Sequence, residues 1–266
     1  MRLLASTFLL LLVSGAAYAA PPSDPLGSPM WADMVERVLE GGEVVFDDKV
    51  KVVVPSIVEN QAQVPVTADA RALPGVTKLV VFADLNPIQH VLTLTPGKSA
   101  PYIGFRMKVE QGTPVRAAAQ TADGVWHVGS VYLDAAGGGC SAPAMARNEE
   151  SWSTTVGQTQ GRIWRDISGL ARARFRIRHP MDTGLARDNT PAFYIESVKV
   201  TSSAGAPLAT LQMFEPVSED PTVTLMLPLA PSDGAIDIEG RDINGGLFRS
   251  QITAPWRQSN VVVPRG

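Results

Sequence analysis

The residue best equipped for covalent chemistry is Cys140, the only cysteine among 266 residues, in the stretch "LDAAGGGCSAPAMA" from Leu133 to Ala146. The thiolate is the reactive form of such a side chain, so its surroundings decide what it can do. Gly137, Gly138 and Gly139 stand directly before it and have no side chains to pack. Their conformational freedom predicts an exposed, mobile thiol on a Gly-rich arm, a swinging tether for a covalently held group. In an oxidising compartment that thiol is modified, kept reduced by a partner, or paired with another molecule, and an odd cysteine predicts a disulfide-linked homodimer. The plain alternative is an incidental free cysteine on a loop. His127 precedes the glycines on a strand and is the candidate for activating the thiol, since a Cys–His pair lowers the thiol pKa. His90, after the Asn86-Pro87 turn, and His179 read as structural, because the three histidines lack metal-ligand spacing. No strand-turn-helix nucleophile elbow is present. Neither a catalytic residue nor a metal site is therefore expected.

A second chemical pattern is "LARARFRIRHPM", which puts Arg172, Arg174, Arg176 and Arg178 on one face of a strand and Ala173, Phe175 and Ile177 on the other. The bland reading is a solvated face that blunts edge-to-edge aggregation. The sharper one is an anion-binding or partner-docking stripe, because guanidinium forks suit sulfate, sulfonate and carboxylate oxygens. Like charges at alternate positions repel, so acidic partners are expected for some of them.

The elements that must position these residues are mostly strands. The chain is rich in Val, Ala, Thr, Gly and Pro, and turn dipeptides recur about every ten residues, the spacing of a β-sandwich. One helix is predicted, with Ser28 as N-cap, Pro29 in its first position and Gly41 as terminator. Seven strands are expected between Val50 and Leu133, the last two flanking the hairpin signal Asp123-Gly124. Six more follow from Ala173 to Ile252, with Asn244-Gly245-Gly246 turning the last pair. The expected fold is all-β: two immunoglobulin-like sandwiches joined by a linker, with one short N-terminal helix. The expected domains are residues 28–136 and 169–262, with 137–168 as cysteine arm and linker. Trp152 and Trp164 mark parts of that linker that dock, and the expectation is that they act as wedges between the sandwiches.

Residues 1–19 read as a cleaved export signal: Arg2, a short apolar core, and the small-x-small sequence Ala17-Tyr18-Ala19. This predicts a periplasmic protein. No later stretch reaches the roughly 20 apolar residues of a membrane helix, and no cysteine near the cleavage site could carry a lipid, so no membrane anchor is expected. A net charge of −3 excludes a nucleic-acid binder of the phosphate-neutralising kind.

Several blocks carry a resemblance. "MWADMVERVLEGG", "VKVVVPSIVENQAQVPVTADARALPGVTKLVVFADLNP" and "YIGFRMKVEQGTPVRAAAQTADG", followed by the glycines and Cys140, resemble SoxY, the periplasmic carrier subunit of thiosulfate oxidation. "RFRIRHPMDTGLARDNTPAFYIESVKV" and "GRDINGGLFRSQI" resemble its partner SoxZ. The order, SoxY then SoxZ in one chain, is similar to SoxYZ-like carriers associated with quinoprotein dehydrogenases. The resemblance implies immunoglobulin-like sandwiches and a non-enzymatic carrier whose cysteine, here Cys140, holds a sulfur-containing intermediate covalently. It implies no cofactor, and periplasmic redox or sulfur-transfer enzymes as partners. The alternative function is a docking or assembly module for a quinoprotein dehydrogenase in which the cysteine is dispensable. Two features depart from the family: Ser141 and Ala142 follow the cysteine where the family has two glycines, with Pro143 next, and the cysteine lies mid-chain instead of near a free C-terminus.

Overall fold

The structure is a computed structural model and describes residues 21–165, 169–230 and 232–257. The expected export signal lies outside these residues. Fifteen strands run in chain order: β1 Val44–Phe46, β2 Lys51–Val53, β3 Val64–Asp69, β4 Val76–Ala83, β5 His90–Thr95, β6 Tyr102–Met107, β7 Thr113–Thr121 and β8 Trp126–Leu133; then β9 Thr159–Arg165, β10 Ala171–Ile177, β11 Ile195–Ser202, β12 Pro207–Met213, β13 Thr222–Leu227, β14 Ala235–Asp242 and β15 Leu247–Thr253.

They form two sheets, and each sheet crosses from the first half of the chain to the second. The nine-stranded sheet has the order β1-β8-β7-β4-β5-β12-β11-β14-β15, and the six-stranded sheet β2-β3-β6-β13-β10-β9. The halves are two β-sandwiches, as the all-β patterning predicts, and they are set edge to edge, which it does not. They join through β5–β12 (Leu94 opposite Leu211) and β6–β13 (Ile103 opposite Leu225). Pairing an edge with an edge satisfies backbone groups that would otherwise invite aggregation. One core of buried side chains, including Val66, Leu94 and Phe105 from the first half and Phe175, Leu211 and Ile238 from the second, fills the space between the sheets without a break.

Helix α1 (Trp31–Val38) packs on the outside of the nine-stranded sheet. Its Trp31, Met34 and Val35 meet Val80, Phe82 and Trp126, so β4 is covered on both faces. That explains why β4 reads as a continuous apolar run instead of an alternating one. The helix begins at Trp31, later than Ser28 and Pro29 suggest: Ser28 accepts the Met30 N–H on Oγ and the Trp31 N–H on its carbonyl, both at 3.3 Å, forming a turn ahead of the helix. Gly41, at φ 65°, closes it as expected, its N–H reaching the Val35 carbonyl at 3.0 Å.

Part of the expected linker is sheet. β9 lies within it and pairs with β10 from Thr159 to Arg165, giving the six-stranded sheet its edge. Ahead of β9 come a 3₁₀ turn (Met145–Asn148) and a four-residue helix, α2 (Trp152–Thr155). Trp164 sits on β9 beside Arg172 and is no wedge between the halves. Trp152 packs under Arg147, 4.4 Å from its guanidinium, beside Pro191 and Phe193 of the second half.

Candidate functional site

β8 ends on the buried Leu133, and the chain then turns along the segment that follows β6. The Gly138 and Gly139 N–H groups donate to the carbonyls of Glu110 and Val109, at 3.3 and 2.9 Å, and Val109 donates in turn to the Gln61 carbonyl. The glycines are there for closeness. A Cβ on Gly139 would stand 2.1 Å from the Gln61 oxygen and one on Gly137 2.4 Å from the Glu110 oxygen, while one on Gly138 would meet nothing. The expectation of a mobile, exposed arm is thereby corrected. The glycines admit backbone-to-backbone packing, and Cys140 is only 1% exposed.

The clasp around the cysteine is specific. The Glu110 carboxylate accepts the N–H groups of Cys140 (2.9 Å) and Ser141 (3.0 Å) and the Ser141 hydroxyl (3.0 Å). Asn86, itself buried, holds the Glu110 segment from both sides, donating to the Lys108 carbonyl at 2.9 Å and accepting the Glu110 N–H at 3.0 Å. From the second half, the Thr183 hydroxyl donates to the Cys140 carbonyl at 2.6 Å. Further along, Glu219 accepts the N–H groups of Met145 and Ala146, at 2.7 and 2.6 Å, and Arg147 pairs with Asp182 at 2.5 Å. The arm is thus tied to both halves, and the hydroxyl of Ser141, at a position where the sequence departs from the family, supplies one tie that a glycine could not.

The electrostatics keep the thiol protonated in this seat. Burial pushes its pKa up, the Glu110 carboxylate adds to the rise, and only Lys108 opposes them, leaving a value of about 12. Lys108 is itself buried and donates from Nζ to the Met181 carbonyl. Burial pushes its pKa down to about 8, with Cys140, Asp182 and Glu219 pulling the other way. Met181 holds its carbonyl there in a left-handed conformation, φ 52°.

His127 is not the thiol's neighbour. It stands on β8 with Nδ1 2.9 Å from an Asp47 carboxylate oxygen, and the charged groups felt by Cys140 are Glu110 and Lys108. The candidate for thiol activation is corrected: His127 stands near the start of β8, six residues before the strand ends at Leu133, while the arm leaves the other end and folds back along the segment after β6. His179 is fully buried, tilted against Phe193 at 4.4 Å, accepts the Met181 N–H at 3.0 Å, and burial drives its pKa down to about 3. His90 opens β5 and stacks on Phe214 at 4.1 Å.

Two family models match the chain: Sulfur oxidation protein SoxY over residues 35–140, and Sulphur oxidation protein SoxZ over residues 165–253. The chain carries a SoxY domain followed by a SoxZ domain. The SoxY match ends on Cys140 itself, so the cysteine closes one domain and is capped by Thr183 of the other. Among solved structures, the sulfur carrier protein SoxY from Chlorobium limicola f thiosulfatophilum is 20% identical with a TM-score of 0.36, covering 40% of this chain and 91% of that one. A tetra-tandem repeat of a large adhesion protein (15% identical, TM-score 0.21, 76% of this chain and 47% of that one) and a family 2 glycosyl hydrolase from Bacteroides cellulosilyticus (12%, 0.20, 77% and 28%) are also similar. No curated protein matches the chain.

The arginine stripe lies on β10 of the SoxZ domain, on the outer face of the six-stranded sheet, and the structure divides it. Arg176 and Arg178 both reach Asp220, at 2.5 and 2.8 Å, and Arg178 also pairs with Glu149. Arg172 lies 5.1 Å from the Trp164 ring, and Arg174 faces Arg162 across the β9–β10 pair. Sequence reasoning did not single out Lys108, Glu110, Asn86 or Thr183. Lys108 and Glu110 sit in "MKVEQG", where alternation at a strand end looks like any solvated edge. Only the fold-back of the arm makes them neighbours of Cys140. Among the described residues no cluster of side chains fits a metal ion, and no helix is long and apolar enough to cross a membrane.

Proposed function

We propose that this chain is a periplasmic, non-enzymatic carrier that holds a sulfur-containing intermediate covalently on Cys140 and presents it to partner enzymes. The observation that carries this is the seat of the lone cysteine, at the end of the SoxY match and against the SoxZ domain, behind a glycine run packed through reversible hydrogen bonds. The thiol is inert while docked, because burial holds it protonated. Loading therefore proceeds from a released arm, in which the thiol regains its ordinary pKa of 9.0 and with it access to the nucleophilic thiolate. Glu110 and Thr183 hold the closed state. A disulfide-linked homodimer likewise forms only from the released state, so freshly folded protein is expected as monomer on non-reducing gels.

The intact mass of protein from its native compartment, with and without reductant, followed by peptide mapping, tests the reading. A reductant-labile sulfur adduct on Cys140 supports it; a bare thiol under every growth condition overturns it. The burial of the thiol favours a second reading, a docking module for a periplasmic quinoprotein dehydrogenase in which Cys140 is dispensable. Cys140→Ser separates the two: the carrier loses pathway function with partner binding intact, whereas the module keeps both.

A further inference from the structure

The outer face of the six-stranded sheet holds arginines that nothing in the described chain neutralises. Arg174 on β10 and Arg162 on β9 stand directly opposite each other, an arrangement in which like charges repel. Arg106 on β6 shares with them an open concavity floored by Trp164 and Thr222. Arg172 flanks it with its guanidinium over the same Trp164 ring. Among the described residues, no carboxylate lies within ion-pair distance of these four arginines. The chain as a whole has a net charge of −3, so this cationic face is a segregation of charge and not the surface of a basic protein.

We propose that this face docks an acidic surface of a partner protein. Two features favour a protein over a small oxyanion. The concavity is open, so a small ion would stay solvated there, while a protein surface would exclude water and strengthen each pair. Trp164, half-buried under Arg172, adds the aromatic-and-arginine composition typical of interface centres. The face also leads to the cysteine. β6 continues from Arg106 through Lys108 to Glu110, which clasps Cys140, and β10 continues through Arg178 and His179 toward Thr183, which caps it. The identity of the partner, an enzyme that loads or unloads Cys140, rests on the carrier reading; the acidic docking does not.

The test is a titration of the full chain with a poly-glutamate peptide, followed by amide and guanidinium NMR, with sodium sulfate at matched ionic strength as the comparison. Saturable peptide binding should centre on Arg106, Arg162, Arg172 and Arg174 and weaken as salt rises. It should fall roughly tenfold or more in Arg162→Glu/Arg174→Glu, and stay unchanged in the control Arg241→Glu/Arg249→Glu on the other sheet. A single Arg174→Glu, which replaces a cross-strand repulsion with an attraction, should keep or raise thermal stability while binding drops, separating lost docking from lost fold. Equal loss in both double variants, or saturable sulfate binding at the same arginines, overturns the proposal. Cys140→Ser should bind the peptide normally, so a bare thiol that sinks the carrier reading leaves this result standing.

Discussion

Among the described residues two cationic side chains, those of Arg116 and Lys108, are buried, and they are treated in opposite ways. Arg116 on β7 is fully covered, lies 4.5 Å from the Trp31 ring, and meets two carboxylates: Asp84 through Nε at 2.9 Å and Nη2 at 2.8 Å, and Asp24 through Nη2 at 2.8 Å. Burial disfavours its charge, yet the bonds to Asp84 and Asp24 outweigh that and raise its pKa. Lys108, on the segment after β6, is almost as deep but has a carbonyl for a partner, and its pKa falls to about 8. One cation is a rivet, neutralised through Nε and Nη2 with Nη1 left without a hydrogen-bond partner, that fastens the segment before α1 to the sheet. The other is a charge left under-compensated beside a thiol, the kind of perturbed group that marks a candidate functional site.

The widest test of that contrast is stability. Arg116→Met strands two buried carboxylates and should cost about 3–5 kcal/mol, while Lys108→Met removes a poorly compensated charge and should be near neutral or mildly stabilising. Urea denaturation of both variants measures this. Equal losses would mean that Lys108 is a second rivet and would dissolve the comparison.

The clasp gives the next largest effect. Glu110→Ala removes three hydrogen bonds to a carboxylate, each worth about 1.5–3 kcal/mol, from the docked arm alone. Since about 1.4 kcal/mol is a tenfold change, iodoacetamide labelling of Cys140 at neutral pH should accelerate by roughly three decades or more, up to the rate of a free thiol, and Thr183→Val should produce a smaller rise. Labelling as slow as in the parent chain would mean that the arm does not open by releasing Glu110.

Titration sharpens the pairing of Lys108 with the thiol, because the two shifts have opposite signs. The Lys108 pKa falls from 10.5 to about 8 on folding, so between those values the unfolded chain binds more protons and stability rises with pH. The Cys140 pKa rises from 9.0 to about 12, so its contribution is complete below pH 9 and is lost as pH climbs toward 12. Between about pH 9 and 10.5 the two slopes oppose each other, at about 1.4 kcal/mol per pH unit each. Relative to the parent, Lys108→Met should therefore lose stability with pH in that window, and Cys140→Ser should gain it. Parallel profiles for the two variants would show that the two shifts on folding are not of opposite sign.

Much of the fold was legible because its signals are local. Period-two alternation on β3, β6 and β10, and turns such as Asp123-Gly124, with Gly124 at φ 89°, need no knowledge of distant residues. The edge-to-edge union through β5–β12 was hidden because the partner strands lie more than a hundred residues apart and neither carries a mark of its neighbour. β9 was hidden too: "TQGRIWR" buries only Ile163, and its strand character comes from pairing with β10. At the site, Cys140 and its glycines stood out by type. What they do there did not, since a glycine needed for freedom and a glycine needed for closeness are the same letter.

That ambiguity can be settled on the arm itself with the subtlest pair of substitutions. Gly138 has φ 87° and open space around it, so Gly138→Ala carries only the cost of a left-handed alanine, about 1–2 kcal/mol. Gly139 lacks a left-handed φ but would drive a Cβ to 2.1 Å from the Gln61 oxygen, which is backbone and has no rotamer through which to retreat. Overpacking of this kind costs about 1–3 kcal/mol or displaces the segment. Both variants should label faster at Cys140 than the parent, with Gly139→Ala the faster by several-fold. If flexibility were what the run supplies, either alanine would stiffen the arm alike and labelling would slow in both, so the direction of the change decides between a hinge and a seat.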